Sequence, residues 1–294
     1  MALLSSCSAI SDRLGFHFEV ATVDHGLRPE GAIEAAKVGE ASRTFGGLKH
    51  HLLRVDVPNG SGLEEKARHA RYAALERIRA SERLNVVATA HTANDQAETL
   101  LMRLMRGSAL GGAGGIQELR ADHVIRPMLF ATREDVLAYL QAREIAFATD
   151  SMNADRSFLR VRVRSDVLPA LDAAAGGPVV KALARFASLA AEDDAWLDEQ
   201  ALAALGDPSE LLADKVLTLP PPIARRVVAL ALTAQGVEVN FEVVAEVLRA
   251  LRDGGTATLA GDRIFACKNG RGYVENAPPR LHATSSSTGG REGP

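Results

Sequence analysis

Short apolar runs alternate with helical segments in the first half of the chain, and this alternation limits the possible folds more than any other feature. The runs FHFEVATV (16–23), HHLLRVDV (50–57) and NVVATAH (85–91) are each followed by a stretch of helical periodicity. Strands that alternate with helices of this length are typical of a parallel sheet with helices on both faces. We therefore predict an α/β fold, with further short strands at 122–125 and 145–148 and a helix at 131–144.

The pattern changes near residue 173, where DAAAGGPVV interrupts the chain with two glycines and a proline. Helical periodicity then dominates at 178–205 and 222–235, and Asn240 is a good N-cap for a third helix. The stretch TATLAGDRIFACKNGRGYVEN predicts two or three short strands joined by Gly-Asp and Asn-Gly turns. We predict an α/β domain at 1–172, a mainly helical domain with a few short strands at 173–278, and a disordered tail at 279–294.

The composition indicates a folded protein of a reducing compartment. Hydrophobic residues make up 47% of the 294 residues and charged residues 24%, and no apolar run approaches the roughly 20 residues of a membrane span. Cys7 and Cys267 are the only two cysteines and have no metal-binding spacing. The formal net charge of −3 argues against a protein that coats nucleic acid non-specifically, but it leaves room for a local basic site.

The segment TVDHGLRPE (22–30) contains polar residues at the point where the first predicted strand ends. Ligands bind at the carboxyl ends of strands in open parallel sheets. Asp24 is therefore a candidate to hold a magnesium ion or a hydroxyl, His25 lies beside it, and Arg28 is a candidate for a phosphate contact. An ordinary strand-to-helix turn explains the same residues equally simply.

The segment from His91 to Glu98 ends the third predicted strand and begins a helix. Asp95 and Glu98 are three residues apart and therefore share one helix face beside His91. Two carboxylates in this arrangement suit an ammonium group and a divalent metal in one pocket. Helix capping is the simpler alternative, because the helix dipole stabilises carboxylates in a first turn.

Two groups of arginines are candidates for binding phosphates. Arg68 and Arg71 are neighbours on one helix face, and guanidinium groups match phosphate oxygens bidentately. Arg160, Arg162 and Arg164 lie in RVRVRSDVLP, which alternates as a strand would but also places the first and last of these arginines on one side of a helix. A nucleic-acid backbone is the natural partner of so concentrated a positive patch. Surface salt bridges and solvation are the alternatives.

The glycine-rich run RGSALGGAGGI (106–116) follows a helix rather than a strand and fits neither the dinucleotide fingerprint nor the Walker A spacing. We interpret it as a helix stop followed by a flexible loop.

Taken together and in this order, these motifs resemble the tRNA(Ile)-lysidine synthase family of the PP-loop ATP pyrophosphatase superfamily. The resemblance covers residues 1–172 and continues weakly to about 276. Asn94 stands where the family usually has an aspartate, and Val161 replaces an asparagine. The similar segments are VDHGLRPE (23–30), ARHARY (67–72), AHTANDQAETLLMRLMRG (90–107), RPML (126–129), the arginine of TREDV, DSMN (150–153) and RVRVRSDVLP (160–169).

One departure from the family is larger. The family opens with a strand and an SGG-x-DS loop, whose backbone amides hold the ATP pyrophosphate, and this sequence contains no such motif. We expect that the start site has been placed too late, at an internal methionine; a real deletion is the alternative. Loss of this central strand would expose two unpaired strand edges.

The resemblance implies ATP-dependent ligation of lysine to the wobble cytidine of tRNA(Ile) with a CAU anticodon. The cytosine oxygen is adenylated with release of pyrophosphate, and the lysine amine then displaces AMP. The implied cofactors are ATP and Mg²⁺, the partners are L-lysine and this tRNA, and the location is the cytoplasm without a membrane; a homodimer is left open. The resemblance assigns catalysis to Asp95, Arg71 and His91, lysine binding to Glu98 and Asp95, ATP binding to Asp24, His25 and Arg68, tRNA binding to Arg160, Arg162, Arg164 and Arg133, and magnesium binding to Asp95.

Two alternatives to this function are weighed. A catalytically incompetent remnant that binds tRNA would follow from a real deletion of the phosphate loop. A related tRNA thiolase would use paired cysteines, often around an iron–sulfur cluster, and two isolated cysteines argue against it.

Overall fold

The computed structural model describes residues 1–24, 30–56, 63–147 and 156–277. Predictions that concern His25, Arg28, the DSMN motif and the C-terminal tail lie outside these residues. The chain divides into two compact units, Met1–Glu192 and Asp193–Pro294.

The first unit alternates helices and strands, as the apolar runs predict. Its elements are α1 (Ala2–Leu14), β1 (Val20–Asp24), α2 (Glu30–Thr44), β2 (His50–Arg54), α3 (Leu63–Ser81), β3 (Val87–Ala88), α4 (Ala93–Met105), α5 (Leu110–Ala113), β4 (Val124–Ile125), α6 (Arg133–Ala142), α7 (Leu159–Arg162), a π-helical turn (Val163–Val167), α8 (Leu168–Ala175) and the start of α9 (Val180–Ala204).

The strands of this unit pair in parallel, which confirms the predicted α/β class. Val20 in β1 pairs with His50 in β2, and Val87 in β3 pairs with Val124 in β4. Among the described residues these are two separate two-stranded sheets. Helix α3 packs against both β1 and β3, so one helix covers a strand from each pair.

The core of the first unit is built on small side chains of α4. Ala93 and Ala97 are buried against Val163 of the π-helical turn and Val180 of α9. On the same helix Leu100 is buried with residues of α5 and α9. Alanine allows helices to approach closely, so α4 lies at the centre of several packed helices.

The division between the units falls inside α9, about 20 residues after the boundary predicted near 173. The first half of α9 belongs to the first unit because Val180, Ala187 and Ala190 are buried in that unit's core. The predicted boundary coincides instead with the end of α8, where Gly176 adopts a left-handed conformation with φ of 70°.

The second unit contains helices packed on a small antiparallel sheet. After the end of α9 its elements are β5 (Leu211–Leu212), α10 (Ala213–Thr218), α11 (Pro221–Ala234), α12 (Phe241–Asp253), β6 (Thr256–Leu259), β7 (Arg263–Lys268) and β8 (Arg271–Asn276). The strand order is β5-β8-β7-β6. The sequence analysis predicted α11, α12 and the hairpin strands but not β5 or α10, which are short.

Local signals in the sequence form the predicted caps and turns of this unit. The side chain of Asn240 accepts a hydrogen bond from the backbone N–H of Val243 and so caps α12. Asn269 and Gly270 join β7 to β8 with φ values of 52° and 72°, the positive values that a tight hairpin turn requires. Val228, Leu232, Val247 and Phe265 fill the core between helices and sheet.

Within the described residues no single helix has both the length and the apolar composition to cross a membrane. The segments Leu159–Ala175 and Val180–Ala204, bent by 101°, meet these criteria only as a pair, by length and composition alone.

Candidate active site

The first turn of α4 lies at the carboxyl ends of β3 and β4, where an open parallel sheet binds its ligands. Thr89, the residue after β3, donates its backbone N–H to Ile125 of β4. His91 and Thr92 then lead into α4. His91, Asp95 and Glu98 therefore lie at the carboxyl end of this sheet, as their sequence positions predict.

Asp95 caps α4. Its Oδ2 accepts hydrogen bonds from the backbone N–H and the hydroxyl of Thr92, both at 2.8 Å. Its other oxygen, Oδ1, accepts a hydrogen bond from Nη2 of Arg160 at 2.6 Å. The capping alternative for Asp95 is correct, but the carboxylate also pairs with a guanidinium from a distant segment.

Glu98 is buried and forms ion pairs with two arginines. Its side chain is 1% exposed. It accepts hydrogen bonds from Nε of Arg160 at 2.6 Å, and from Nε and Nη2 of Arg164 at 2.6 and 3.1 Å. A carboxylate this deeply buried requires such cations, because a buried charge without a partner is costly. The hydrogen bonding of Arg164 to the Glu98 carboxylate raises the pKa of the Arg164 guanidinium.

The two arginines reach Glu98 because RVRVRSDVLP is helical rather than extended. Arg160 in α7 and Arg164 in the π-helical turn are four residues apart and lie on the same side. Val163, between them, is buried against Ala93 and Ala97 of α4. Arg162 is exposed and donates instead to the backbone oxygens of Arg156 and Ser157.

This arrangement brings together two sets of residues that the sequence analysis kept apart. Asp95 and Glu98 are the predicted lysine-binding residues, and Arg160 and Arg164 are predicted tRNA-binding residues. In the structure their charges neutralise one another. Of the other predicted tRNA-binding residues, Arg133 at the start of α6 is exposed, and its backbone N–H donates to Oδ1 of Asn94.

His91 lies beside the carboxylates as a neutral imidazole. Its Nδ1 is 2.9 Å from the hydroxyl of Thr89. Burial, with smaller contributions from the positive charges of Arg126, Arg160 and Arg68, lowers the pKa of His91 to about 4, although Asp95 acts in the opposite direction. His91 therefore adds a polar group but no positive charge at neutral pH.

Arg68 and Arg71 of α3 differ in their surroundings. The guanidinium of Arg68 lies 5.1 Å from the ring centre of Tyr72, and that of Arg120 lies 5.0 Å from the same ring. Such stacking holds both guanidinium groups in fixed positions. Arg71 is exposed. No described contact joins Arg68 to Arg71, so their predicted joint action on a phosphate stays a prediction.

Asp24 ends β1 and faces the first turn of α2. A Cβ atom added to Gly31 would lie 2.9 Å from Oδ1 of Asp24, so a residue without a side chain lets the carboxylate approach the helix. Its Oδ2 is 3.8 Å from Nε of Arg54. Asp24 is thus at the predicted strand end, next to residues 25–29, which are not described.

The glycine-rich run is an ordered turn with a short helix, α5, rather than the irregular loop predicted. Arg103 of α4 donates Nη1 hydrogen bonds to the backbone oxygens of Gly112 and Gly115 at 3.1 and 2.6 Å. Gln96, also in α4, accepts from the backbone N–H of Ile116 at 2.5 Å. A Cβ atom on Gly115 would come within 2.5 Å of Oε1 of Gln96, and its φ is +61°. Glycine is required here by close approach and by backbone conformation.

The described residues do not fit a magnesium ion at Asp95. Both oxygens of this carboxylate already accept hydrogen bonds, and Arg160 supplies the positive charge that a cation would bring. The magnesium prediction therefore gains no support, and we assign no step to a metal at Asp95.

A different group of ligand-type side chains lies at the amino ends of β1 and β2. Ligand atoms of Glu19, His51 and Glu82 are within 4.8 Å of one another. Lys49 forms an ion pair with Glu82 and lies 3.9 Å from Glu19. This lysine already supplies a cation to both carboxylates.

Arg126 received no role in the sequence analysis, which noted only the family segment RPML. It follows β4, and its side chain is buried with the whole residue 2% exposed. Its Nη1 donates to the backbone oxygen of Gln117, and its Nε has no hydrogen-bond partner in the part of the chain that the structure describes. A basic residue directly after a predicted strand lies at the carboxyl end of the sheet, and this position is the sequence signal that marks Arg126 as a candidate site residue.

The second unit has a groove of about 350 Å³ between α10, α11 and α12. Its apolar lining includes Leu219 and Phe241, and the Phe241 ring is 72% exposed. Arg225, Arg249 and Arg252 line it as well, and all three are exposed. Within the described residues none of the three forms an ion pair, so the groove combines an aromatic face with uncompensated positive charge.

Comparisons with known proteins agree on the family. The PP-loop domain model matches residues 1–171. A tRNA(Ile)-lysidine synthase of Salinispora tropica is 41% identical over 209 residues, which cover 70% of this chain and 63% of that protein. One of Novosphingobium aromaticivorans is 38% identical over 256 residues, which cover 83% of this chain and 76% of that protein. The chain thus spans less than two thirds of the first relative's length and about three quarters of the second's.

A solved structure supports the fold. The U34-tRNA thiolase NcsA from Methanococcus maripaludis, with its [4Fe-4S] cluster, matches with a TM-score of 0.50 at 15% identity, over 65% of this chain and 69% of that one. At this identity the likeness concerns the fold alone. From the domain match and the identities to its relatives, the chain belongs to the PP-loop family and, within it, to the tRNA(Ile)-lysidine synthase family.

Proposed function

We propose that the protein ligates lysine to the wobble cytidine of tRNA(Ile) with a CAU anticodon, in an ATP-dependent reaction of the cytoplasm. The observation that carries this proposal is the convergence of Asp95 and Glu98 on a single cationic group at the carboxyl end of β3. The similarity of this chain to several tRNA(Ile)-lysidine synthases also supports the proposal.

The reaction has two steps. The cytosine O2 attacks the α-phosphate of ATP, an O–P bond forms, and pyrophosphate leaves. The lysine ε-amine, after its ammonium proton has passed to solvent, attacks C2 of the activated base, AMP leaves with the oxygen, and the nitrogen gives a further proton to solvent. Asp95 and Glu98 are proposed to bind the lysine ammonium, and Asp24 and Arg68 to line the nucleotide pocket.

Arg160 occupies the position that this proposal gives to the lysine ammonium. Its guanidinium bridges Oδ1 of Asp95 and Oε2 of Glu98, both at 2.6 Å. Lysine therefore has to displace Arg160 from these two oxygens. Arg164 remains on Glu98 through Nε, so that carboxylate keeps a partner during the exchange. A displaced Arg160 is available for a tRNA phosphate, which agrees with its predicted role in tRNA binding.

The pKa of His91 argues against a role as the general base. An efficient base has a pKa near the working pH, and His91 lies at about 4. Its proposed contribution is to orient groups as a neutral hydrogen-bonding side chain. A protonated His91 would place a positive charge beside Asp95 and would repel the lysine ammonium.

The groove of the second unit is proposed to bind RNA. Exposed arginines attract the phosphate backbone, and an exposed aromatic ring stacks on an unpaired base. The predicted tRNA contacts of Arg162 and Arg133 remain compatible with this, since both side chains are exposed.

Incorporation of labelled lysine into a tRNA(Ile) transcript with a CAU anticodon tests the function. The assay contains the purified protein, the transcript, ATP and labelled lysine. We expect ATP-dependent incorporation, and none into a transcript whose wobble cytidine is replaced by uridine. Failure to incorporate lysine, while the protein still binds the transcript, contradicts ligation and supports the tRNA-binding alternative.

Neither cysteine supports the thiolase alternative. Cys7 lies in α1 and Cys267 is buried in β7, and neither belongs to α4 or to the turns around it. Sulfur incorporation into the same transcript in place of lysine would reverse this conclusion.

A further inference from the structure

Arg126 is a buried cation whose charge no described residue balances. It is among the largest fully buried side chains of the protein, and a guanidinium stays protonated in any protein environment. The neighbouring arginines 160 and 164 are paired with carboxylates, whereas Arg126 forms no ion pair within the described residues.

The hydrogen bonds of Arg126 are incomplete. Of its five N–H groups, one on Nη1 donates to the backbone oxygen of Gln117, and the buried Nε–H has no acceptor among the residues described. Buried polar groups are almost always paired, so an unpaired one calls for a specific explanation. A guanidinium donates in a planar fork that matches the two oxygens of a carboxylate or phosphate.

The location of Arg126 supplies that explanation. It directly follows Ile125, whose backbone oxygen accepts from Thr89 at 3.0 Å, so it lies at the carboxyl ends of β3 and β4. His91, two residues beyond Thr89, feels the positive charge of Arg126. Asp95 and Glu98 lie on α4, which begins at the same strand ends, so Arg126 and the two carboxylates lie at the same end of this sheet.

We propose that Arg126 binds an oxyanion of a substrate at the carboxyl ends of β3 and β4, next to His91. The oxyanion is either the phosphate of a nucleotide or the carboxylate of the amino acid. This inference rests on the proposed function and extends it. Asp95 and Glu98 bind the ammonium group of lysine, and Arg126 binds a phosphate or carboxylate group. The ligand supplies the acceptor that Nε of Arg126 lacks among the described residues.

The test combines thermal unfolding with ligand binding. Arg126→Met keeps the length of the side chain and removes the charge, whereas Arg126→Lys keeps the charge and loses the planar fork. Arg79→Met is the matched control, because Arg79 pairs with Glu76 at 2.6 Å and donates to the backbone oxygen of Leu84, which precedes β3. The probes are AMP, L-lysine, inorganic pyrophosphate, and cadaverine, which is lysine without its carboxylate.

We expect Arg126→Met to unfold at the same temperature as the wild type or higher, because a buried unpaired charge is removed. We also expect it to lose affinity for one oxyanion by about 10- to 100-fold, the value of a hydrogen-bonded charge pair. A loss for L-lysine with unchanged cadaverine binding identifies the carboxylate. A loss for AMP or pyrophosphate identifies a phosphate. The affinity of Arg126→Lys should lie between those of the wild type and Arg126→Met, and Arg79→Met should bind the probes as the wild type does.

Two outcomes overturn the inference. If Arg126→Met or Arg126→Lys lowers the unfolding temperature by several degrees while all four probes still bind normally, the residue is structural. If wild type and variants bind L-lysine and AMP equally, Arg126 contacts neither, and the proposed ligation stands. A wild type that binds none of the probes contradicts both the oxyanion site and the lysine site, whereas lysine incorporation into tRNA tests the ligation separately.

Discussion

Arg160 donates its Nε–H to Oε2 of Glu98 at 2.6 Å, across 62 residues of sequence. The carboxylate is 1% exposed and the guanidinium about one third exposed. The pair is therefore a buried acid covered by a cation that remains in contact with solvent. This geometry allows the cation to leave and another to take its place, as ligation of lysine would require.

Replacing Asp95 is expected to abolish lysine incorporation. Asp95→Ala removes both the α4 cap and one of the two carboxylates proposed to hold the ammonium. Loss of the cap alone should destabilise the fold by about 1 kcal/mol. Asp135→Ala is the control, because Asp135 caps α6 through the same kind of capping box with Thr132. Lysine incorporation and thermal unfolding are measured for both variants. Near-normal turnover in Asp95→Ala would refute the assignment of this residue.

Removing Arg160 is expected to strengthen lysine binding in the absence of tRNA. Arg160→Ala removes one hydrogen bond from Oδ1 of Asp95 and one from Oε2 of Glu98, while Arg164 keeps both oxygens of Glu98 paired. Isothermal titration with L-lysine should show an affinity several-fold higher than in the wild type. Arg162→Ala is the control, since Arg162 donates only to backbone oxygens in the described contacts. A weaker lysine affinity in Arg160→Ala would show that this arginine supports the pocket rather than occupying it.

The imidazole of His91 makes stability depend on pH below neutrality. Its pKa in the folded protein is about 4, below the ordinary 6.5, so the unfolded chain binds the proton more readily. Stability from this group is complete above about pH 6.5 and is lost as the pH falls toward 4. His91→Gln should therefore lose less stability between pH 7 and pH 5 than the wild type does.

Thermal unfolding at these two pH values checks this prediction for His91. His69→Gln serves as the comparison, because His69 is 79% exposed and bonds only to Glu65 in the described contacts. An identical pH dependence in His91→Gln and the wild type would contradict the buried neutral imidazole.

The groove of the second unit is expected to contribute to tRNA affinity. The double variant Arg225→Ala/Arg249→Ala should weaken binding and reduce the slope of log affinity against log salt by about one to two, since each phosphate contact contributes roughly one. Phe241→Ala should cost about 1–3 kcal/mol if a base stacks on the ring. Filter binding at several salt concentrations measures both.

Arg271→Ala provides the control for the groove, because Arg271 is an exposed arginine of the same unit that pairs with Glu210 at 2.8 Å. If Arg271→Ala and the groove variants weaken tRNA binding equally, the effect reflects overall charge and not the groove.

Local sequence signals determined the elements and their ends. Apolar alternation located β1, β2 and β3, the segment from His91 to Glu98 marked the start of α4, and Asn269 with Gly270 marked a hairpin. These signals act between residues a few positions apart, so they can be recognised without knowledge of the fold. Very short elements such as β5 and α10 carry too few residues for a pattern, and the pairing of β5 with β8 depends on the sheet already being present.

The charged residues of the site could be recognised in the sequence, but the ion pairs between them could not. Asp95, Glu98, Arg160 and Arg164 all stood out as charged clusters. The alternation in RVRVRSDVLP, however, fits a strand and a helix equally well. Burial of Val163 against Ala93 and Ala97 decides for the helix, and only then do Arg160 and Arg164 reach the carboxylates of α4. Likewise, no local pattern shows that Arg126 is buried and has no counter-charge within the described ranges. Such long-range relationships arise from packing, because burial depends on which distant elements cover a residue and a buried charge acquires its meaning only from the groups around it.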